Sequence, residues 1–300
     1  MFTKRKIWLS ELLEGGALSI VRDAEIAFAG KLSTPLNDRI VPLQSQDHLE
    51  RATRSDGTTA FITPEGLSQK IPDQFGLIIA PYPMAALAHV QSKLANHPTL
   101  QWDRFETRIH PSAQIDRSAS IAPFDVTIGA DTVIFPGAII GPRTAIGARC
   151  SIGPNTHIGA TGFQKDAGTP GHLMAQSGGV RIADDVTIQS SCVVSRAVFG
   201  GFTEINSEVL IDSLVSISHD CVIGSGTVIC AKVSLSGGAR VAESAYLGPN
   251  ATISNSISIG TGAQVSLGAV VTEDVPAGQK VSGNFALPHE KWLRLIRQFR

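Results

Sequence analysis

The stretch SISHDCVIGSGTVICAKVSLSGGARV, residues 216–241, places an aliphatic residue at every sixth position. The same period continues on both sides of this stretch, at Ile205, Ile211, Ile217, Ile223, Ile229, Leu235, Val241, Leu247, Ile253, Ile259, Val265 and Val271. A six-residue period held over this length indicates a repeat architecture, in which each repeat packs on its neighbours. Within this regular pattern, His219 is a polar residue whose presence needs an explanation.

Two further regularities specify the kind of repeat. An earlier aliphatic run has the same period, at Ile128, Ile134, Ile140, Ile146, Ile152 and Ile158. The fourth residue after each aliphatic is small or β-branched, as at Thr132, Ala138, Cys150, Val209, Cys221 and Ala239. This is the hexapeptide pattern of a parallel β-helix, in which each six-residue unit forms one side of a triangular coil of eighteen residues. Residues eighteen apart are therefore expected to stack, which places Gly237 one coil above His219 and Asn255 one coil above Gly237.

The period fails in two places. Between Ile158 and Ile182 the chain reads GATGFQKDAGTPGHLMAQSGGVR, whose glycine, proline and serine content predicts a loop. A loop of this length leaving a regular solenoid indicates either a functional segment or a surface insertion. A second irregularity lies at residues 195–204, SRAVFGGFTE, where the spacing is one residue short of two units.

The two ends of the chain lack the six-residue period. Residues 1–105 predict a small α/β domain, with short buried strands at TTAFIT and FGLIIAP and a helix over residues 84–96. Residues 106–284 form the predicted solenoid. Residues 285–300 predict one short basic helix that caps the last coil through an apolar face formed by Trp292, Leu295, Ile296 and Phe299.

Composition narrows the class of function. The net charge of -1 gives no electrostatic footprint for nucleic acid, and no apolar run is long enough to span a bilayer. The N-terminus has no apolar signal core, so we expect a cytoplasmic protein without disulfides. Three of the four cysteines, at positions 150, 192 and 221, occupy the small inward position of the repeat and are interpreted as core residues.

His219 is the main candidate for chemistry. No second histidine shares its column nearby, so the pattern does not predict a zinc site between coils. Ser218, His219 and Asp220 have the residue types of a triad but are adjacent in sequence. They are expected in one strand, where successive side chains point to opposite faces, so the three cannot form a relay among themselves.

The segment IDSLVSISHDCVIGSGTVICAKVSLSGGARV resembles the catalytic segment of the UDP-3-O-acylglucosamine N-acyltransferases of lipid A synthesis. The resemblance extends to GATGF, IADDVTI and VTEDVPAGQKVSGNFALP in the solenoid and to APYPMAALAHV in the N-terminal domain. It implies a left-handed β-helix, a homotrimer and a nucleotide-sugar-binding N-terminal domain. SHDC also resembles the AHDC of O-acyltransferases that act on UDP-N-acetylglucosamine, so O-acylation stays open.

The resemblance also implies a mechanism. His219 is the expected general base, and it activates a sugar amine for attack on an acyl thioester carried by acyl carrier protein. The N–H of Gly237 matches the family's oxyanion donor. Phe61 corresponds to the first aromatic of a uracil clamp, and the acceptor is expected near the loop residues Phe163 and His172. No bound cofactor or metal is expected, with the phosphopantetheine thioester, or acyl-CoA, as co-substrate.

The sequence departs from the family at several positions. Asn255 stands where the family usually has a second histidine, and Thr161 where it commonly has aspartate. Pro64 and Leu67 replace the other two clamp residues. Two alternatives therefore remain, an acetyl-CoA-dependent aminosugar N-acetyltransferase of surface polysaccharide synthesis and an inactive sugar-nucleotide-binding paralogue.

Overall fold

The computed structural model describes residues 3–16, 18–46, 49, 52, 56–283 and 286–298. Its larger part is a triangular solenoid of three parallel sheets, which we name A, B and C. Each sheet contributes one short strand to each coil, and consecutive strands of a sheet pair in parallel. The aliphatic ladder points inward and forms one continuous buried core along the axis.

The strands of the solenoid follow each other in the order B, C, A. Sheet A contains Ser120–Ile121, Ile139–Ile140, His157–Ala160, Val193–Ser195, Ser216–Ile217, Ser234–Leu235, Thr252–Ile253 and Val270–Val271. Sheet B contains Arg108–Ile109, Val126–Ile128, Thr144–Ile146, Gly179–Ile182, Phe202–Ile205, Val222–Ile223, Arg240–Val241 and Ser258–Ile259. Sheet C contains Gln114–Ile115, Val133–Ile134, Ser151–Ile152, Thr187–Ile188, Leu210–Ile211, Val228–Ile229, Tyr246–Leu247, Gln264–Val265 and Lys280–Val281.

The predicted stacking is confirmed wherever the repeat is uninterrupted. Ser216 pairs with Ser234, and Ser234 pairs with Thr252, so each coil is eighteen residues long there. The corners depend on a position to which the sequence pattern gave no role. The third residue after the aliphatic adopts a left-handed conformation, with φ of 61° at Arg143, 63° at Leu214 and 62° at Asp220.

The N-terminal domain is built on a five-stranded sheet, as its predicted strands indicate. Its strands, in spatial order, are Ser19–Arg22, Gly76–Ile79, Thr58–Thr63, Arg39–Pro42 and Phe28–Ala29. A two-stranded antiparallel ribbon, Ile7–Trp8 with Glu25–Ile26, accompanies them. The helices whose bounds lie in the described residues are α1 (Leu9–Leu12), α2 (Glu65–Ser68) and α3 (Pro83–Asn96). Helix α3 packs on the sheet through buried residues that include Leu87, Val90 and Leu94.

Both irregular segments of the solenoid serve to attach this domain. Met174 from the long loop and Val198 and Phe199 from the second irregularity are buried in the core of the N-terminal domain. The Gln91 side-chain amide of α3 donates to Ser177 Oγ at 3.0 Å and to the Val198 carbonyl at 2.9 Å. The inner part of the loop is therefore a docking element rather than a free surface insertion.

The C-terminal helix α4 spans His289–Arg297. Trp292 is 39% exposed and Leu295 is 38% exposed, so these two side chains do not cap the last coil as the sequence pattern predicted. Phe299 lies outside the described residues. Among the residues that the structure describes, no helix is long and apolar enough to cross a bilayer.

Candidate active site

His219 lies at the corner that joins sheet A to sheet B, between the strands Ser216–Ile217 and Val222–Ile223. The pairing of Ser216 with Ser234 places Gly237 directly above it, as the eighteen-residue spacing predicts. Its side chain is only 14% exposed. A histidine held this firmly at a corner presents a ring edge in a defined direction.

Asp220 contacts the neighbouring histidine, contrary to the expectation from sequence. His219 Nδ1 lies 2.7 Å from Asp220 Oδ2. The expectation was wrong because it applied strand alternation to a corner. The positive φ of Asp220 turns the chain there and brings the two adjacent side chains to the same side. The carboxylate accepts from Nδ1–H, which fixes the tautomer and leaves Nε2 as the basic nitrogen.

The carboxylate of Asp220 is itself held in place. Its Oδ1 accepts a hydrogen bond from the Val198 N–H at 3.1 Å, and its backbone N–H donates to Thr203 Oγ1 at 2.9 Å. Val198 belongs to the segment that docks the N-terminal domain, and Thr203 is fully buried. The orientation of His219 thus depends, through Asp220, on the second irregularity of the repeat.

Two glycines enclose the imidazole. A Cβ on Gly237 would lie 2.6 Å from His219 Cε1 and 2.7 Å from Nε2, and a Cβ on Gly162 would lie 2.9 Å from His219 Cβ. Only glycine permits this approach on either side of the histidine. The Gly237 N–H has no acceptor among the described residues, so it is free to bind an oxygen near Nε2.

The approach of Gly162 is fixed by the long loop. Gln176 Oε1 accepts from the Gly162 N–H at 2.9 Å, and Gln176 Nε2 donates to the Gly162 carbonyl at 2.5 Å. Thr161, the residue before it, accepts from Arg196 Nη2 at 3.1 Å. Gly162 of the GATGF motif therefore covers the candidate base, His219. Sequence reasoning did not assign this role to it.

The N-terminal domain closes the site from the other side. A small cleft at His219 and Gly237 is also lined by Lys31, Ser33 and Thr34. Lys31 Nζ donates to Gln164 Oε1 at 3.1 Å, which connects the domain to the loop beside the cleft. A substrate that reaches Nε2 would thus contact both domains.

The other sequence-predicted residues do not all reach this site. Phe61 is fully buried in the N-terminal core and packs edge-on against Phe75 at 5.0 Å, so its assignment to a uracil clamp was wrong. Phe163 is 85% exposed next to Gly162, and His172 is exposed on the long loop. Asn255 is exposed two coils above His219.

An exposed aromatic that sequence reasoning missed lies at Tyr82. It is 76% exposed and lines a cleft of about 570 Å³ together with Gln44, Met84 and the loop residues Ala167 and Gly168. The motif APYPMAALAHV contained it, but the pattern gave no sign that the loop tip would lie opposite. This cleft has the composition expected for an aromatic ligand group.

The cysteines are removed from the candidate chemistry. Cys150, Cys192 and Cys221 are buried and free, as predicted for the inward corner position. Burial raises the pKa of the Cys221 thiol to about 12. Among the described residues, no group of three His, Cys, Asp or Glu side chains is arranged to hold a metal ion.

Comparison with known proteins shows which family model and which solved structures this chain is similar to. Residues 125–160 match the family model described as bacterial transferase hexapeptide (six repeats). The structure of a UDP-N-acetylglucosamine acyltransferase from Francisella novicida covers 63% of this chain and 71% of its own, with a TM-score of 0.51 and 24% identity. This similarity supports the left-handed β-helix fold.

Curated sequences give closer similarity over a shorter segment. A UDP-3-O-acylglucosamine N-acyltransferase 3 from Gloeobacter violaceus is 53% identical over 42% of this chain, and a UDP-3-O-acylglucosamine N-acyltransferase from Myxococcus xanthus is 49% identical over 46%. The matched segments span 37% and 41% of these relatives' own lengths. The resemblance found in the sequence is thus confirmed over that segment, where the chain is a hexapeptide-repeat protein similar to the UDP-3-O-acylglucosamine N-acyltransferases.

Proposed function

We propose that the protein is an N-acyltransferase that transfers an acyl group from a thioester to the amine of a nucleotide-linked aminosugar of the lipid A type. The observation that supports this most directly is the His219 arrangement. Its Nδ1 is bound to Asp220, and the ring lies against Gly237, whose N–H lacks an acceptor in the described structure. General base and oxyanion donor therefore occupy neighbouring coils of one column.

In the proposed reaction the neutral sugar amine attacks the thioester carbonyl carbon. The forming C–N bond releases an N–H proton to His219 Nε2, and the tetrahedral oxyanion accepts a hydrogen bond from the Gly237 N–H. The C–S bond then breaks, and the imidazolium protonates the departing thiolate. Asp220 stabilises the imidazolium between these two proton transfers.

The proposed acceptor is supported by the names of the relatives and by two clefts. Those names describe N-acylation of a UDP-linked acylglucosamine. The Tyr82 cleft and the His219 cleft both lie where the N-terminal domain meets the solenoid or its loop. Tyr82, rather than Phe61, is the aromatic that we propose for stacking on the nucleobase, since its ring is accessible.

We further propose acyl carrier protein as the donor and a homotrimer as the working assembly. Five large apolar side chains are exposed on this side of the solenoid: Leu210 and Tyr246 on sheet C, Leu214 and Leu267 at its corner toward sheet A, and Val270 at the start of a strand of sheet A. Exposed apolar side chains on one side of a solenoid favour burial against further copies. Acyl carrier protein and nucleotide sugars both occur in the cytoplasm, which is where we expect the protein to act.

The test is mass spectrometry of products after incubation with acyl-acyl carrier proteins of several chain lengths or with acetyl-CoA. Each donor is paired with a panel of nucleotide sugars that offer either a free amine or only hydroxyl groups as acceptor. A product heavier by a long acyl group supports the proposal. A product heavier by an acetyl group supports the acetyltransferase alternative, and an amine acceptor that fails where a hydroxyl acceptor succeeds supports O-acylation. No product from any pair, with folded protein, contradicts all three and favours the inactive paralogue.

A further inference from the structure

A third cleft is lined by Gln176, whose side chain also bonds to Gly162. Its volume is about 540 Å³, and it is bounded by the end of α3 at Asn96 and by the coil corners at Phe124 and Arg143. Gln176 and Arg196 complete its inner wall. The size is that of a small-molecule site. Gln176 connects this cleft to Gly162, which covers His219 in the candidate active site.

Arg143 and Arg196 make the wall of this cleft positively charged. Both arginines are half-buried, and burial lowers the pKa of each. The Arg196 charge lowers the pKa of Arg143 further, and the Asp125 carboxylate opposes this in part. Among the described residues, no carboxylate lies within ion-pair distance of either. Arg143 Nη1 donates to the Gln176 carbonyl and Arg196 Nη2 to Thr161 Oγ1, each at 3.1 Å.

One donor of this pair is left without a partner, while the Arg143 guanidinium lies over the Trp102 ring, 5.6 Å from Cζ to the centroid. Arg196 Nε is buried and has no hydrogen-bond partner in the described structure. A cation taken partly out of water without a counter-charge costs free energy, which an anionic ligand would recover. Two such cations in one wall, with Asp125 as the one carboxylate of the lining, therefore indicate a site whose positive charge is not balanced without an anion.

A third arginine extends the positive wall to the rim. Arg104 lines the cleft and is held over the Phe124 ring, with 3.7 Å from its Cζ to the ring centroid. The lining contains one carboxylate, Asp125, whose Oδ1 accepts from the Phe105 N–H at 3.0 Å. Three guanidinium groups against one carboxylate leave the cleft with a surplus of positive charge.

We propose that this cleft binds a phosphate-bearing group. Guanidinium groups recognise phosphate oxygens through paired N–H donors, and a phosphate carries enough charge to balance two arginines. An adjoining cleft that shares Arg104 and Arg143 is lined by Trp102, Phe105 and Phe202, which provides room for the remainder of such a molecule.

The position of the cleft fits a substrate of the same enzyme. Arg143 lies in the corner column of Asp220, three coils below it through Gly179 and Phe202. At the spacing of parallel strands this separation is about 14 Å along the axis. The nucleoside diphosphate of the sugar and the phosphopantetheine arm of the donor both carry phosphate at a distance from the reacting atoms. These two sources depend on the proposed function, whereas the binding of phosphate does not.

The experiment measures binding by calorimetric titration, without turnover. The probes are UDP, 4′-phosphopantetheine and inorganic pyrophosphate, each compared at low and high salt, with uridine and pantetheine as probes without phosphate. The variants are Arg143→Gln, Arg196→Gln, the double variant, and Arg104→Gln at the exposed rim. Arg149→Gln is the matched control, because Arg149 already pairs with Asp185 at 2.7 Å and does not line the cleft.

We expect at least one phosphate probe to bind, with affinity that falls by about tenfold or more for each arginine lost, the effect of removing a charge-assisted hydrogen bond. Arg149→Gln is expected to bind as the wild type does. The probe that binds identifies the source, UDP for the acceptor and phosphopantetheine for the donor. The proposal is wrong if the wild-type protein binds no phosphate probe. It is also wrong if the Arg104→Gln variant and a folded double variant both bind the probe as tightly as the wild type. Retained binding by the Arg104 variant alone also counts against a rim contact.

Discussion

The part of the solenoid that follows residue 205 and the part that precedes it are built from the same repeat, but they differ in how regularly the coils follow each other. In the following part, partners such as Ser234 and Thr252 pair in an unbroken eighteen-residue register. In the preceding part, His157 pairs with Val193 and Val193 with Ser216, so that each interval contains extra chain. The extra chain docks the N-terminal domain and covers His219. In this molecule the regular part supplies rigidity, and the departures from regularity position the chemistry.

Replacing His219 by alanine gives the largest expected effect. The proposed function makes Nε2 the general base, and losing such a base costs on the order of 10²–10⁴-fold in rate. The measurement is kcat with the best donor and acceptor pair, with circular dichroism to verify the fold. His110→Ala is the control, because that histidine is exposed in the first coil. A folded His219 variant with near wild-type turnover would contradict the assignment.

Gly237→Ala tests whether the regular coil that carries Gly237 is in close contact with the candidate base, His219. The added Cβ would lie 2.6 Å from His219 Cε1, so the ring must move. Displacing a catalytic group by about an ångström costs on the order of 10²-fold. The control is Gly66→Ala, where a Cβ would meet nothing within 4 Å. Equal kcat in both variants would show that the ring is free to shift without consequence.

Met174→Ala separates the inner part of the long loop from its tip. Met174 is 2% exposed in the core of the N-terminal domain, so truncation should lower the free energy of unfolding by about 2 kcal/mol. Chemical denaturation measures this value. Leu173→Ala is the matched control, since Leu173 is 43% exposed. Similar unfolding free energies for the two variants would contradict the docking role of this segment.

Replacing the loop tip, residues 166–171, by a short Gly-Ser linker is expected to act on binding rather than on stability. The tip faces Tyr82 through Ala167 and Gly168, while Met174 and Gln176 remain. We expect KM for the nucleotide sugar to rise by about tenfold, as when one good contact is lost, with unchanged melting temperature. Unchanged KM would mean that the tip is an insertion of no consequence for the acceptor.

The smallest effect is expected at the cysteines. Because burial raises the pKa of Cys221 to about 12, almost no thiolate is present at pH 8, and iodoacetamide should leave this residue unlabelled in the native protein. Cys230, which is partly exposed, should be labelled first. Peptide mass spectrometry measures the labelling of both cysteines, and an activity assay follows the effect of labelling on turnover. Stoichiometric labelling of Cys221 with loss of activity would contradict its interpretation as a core residue.

The sequence predicted the features that repeat. An inward aliphatic every sixth residue has one geometric meaning, so the ladder, the buried cysteines and the column of His219 and Gly237 followed from it. The left-handed corner position could not be identified, because it holds residues as different as Arg143, Leu214 and Asp220.

Features that depend on a single tertiary contact were not predictable in the same way. The His219–Asp220 contact was missed because a strand rule was applied to a corner. Phe61 was misassigned because its motif gave no information on burial. The spacing of SRAVFGGFTE signalled an irregularity, but nothing in it identified the N-terminal domain as the partner of Val198 and Phe199.

The fixed length of the coil also sets which changes in length evolution could tolerate. Inserting eighteen residues above Ile259 would add one complete coil and leave the His219 column and all three sheets in register. Inserting six would instead rotate every later residue onto the next sheet and transfer the exposed side chains of Leu267 and Val270 to a different face. Homologous chains should therefore differ in solenoid length by whole coils above the site, and shorter insertions should concentrate at the loop and at the segment that holds Asp220.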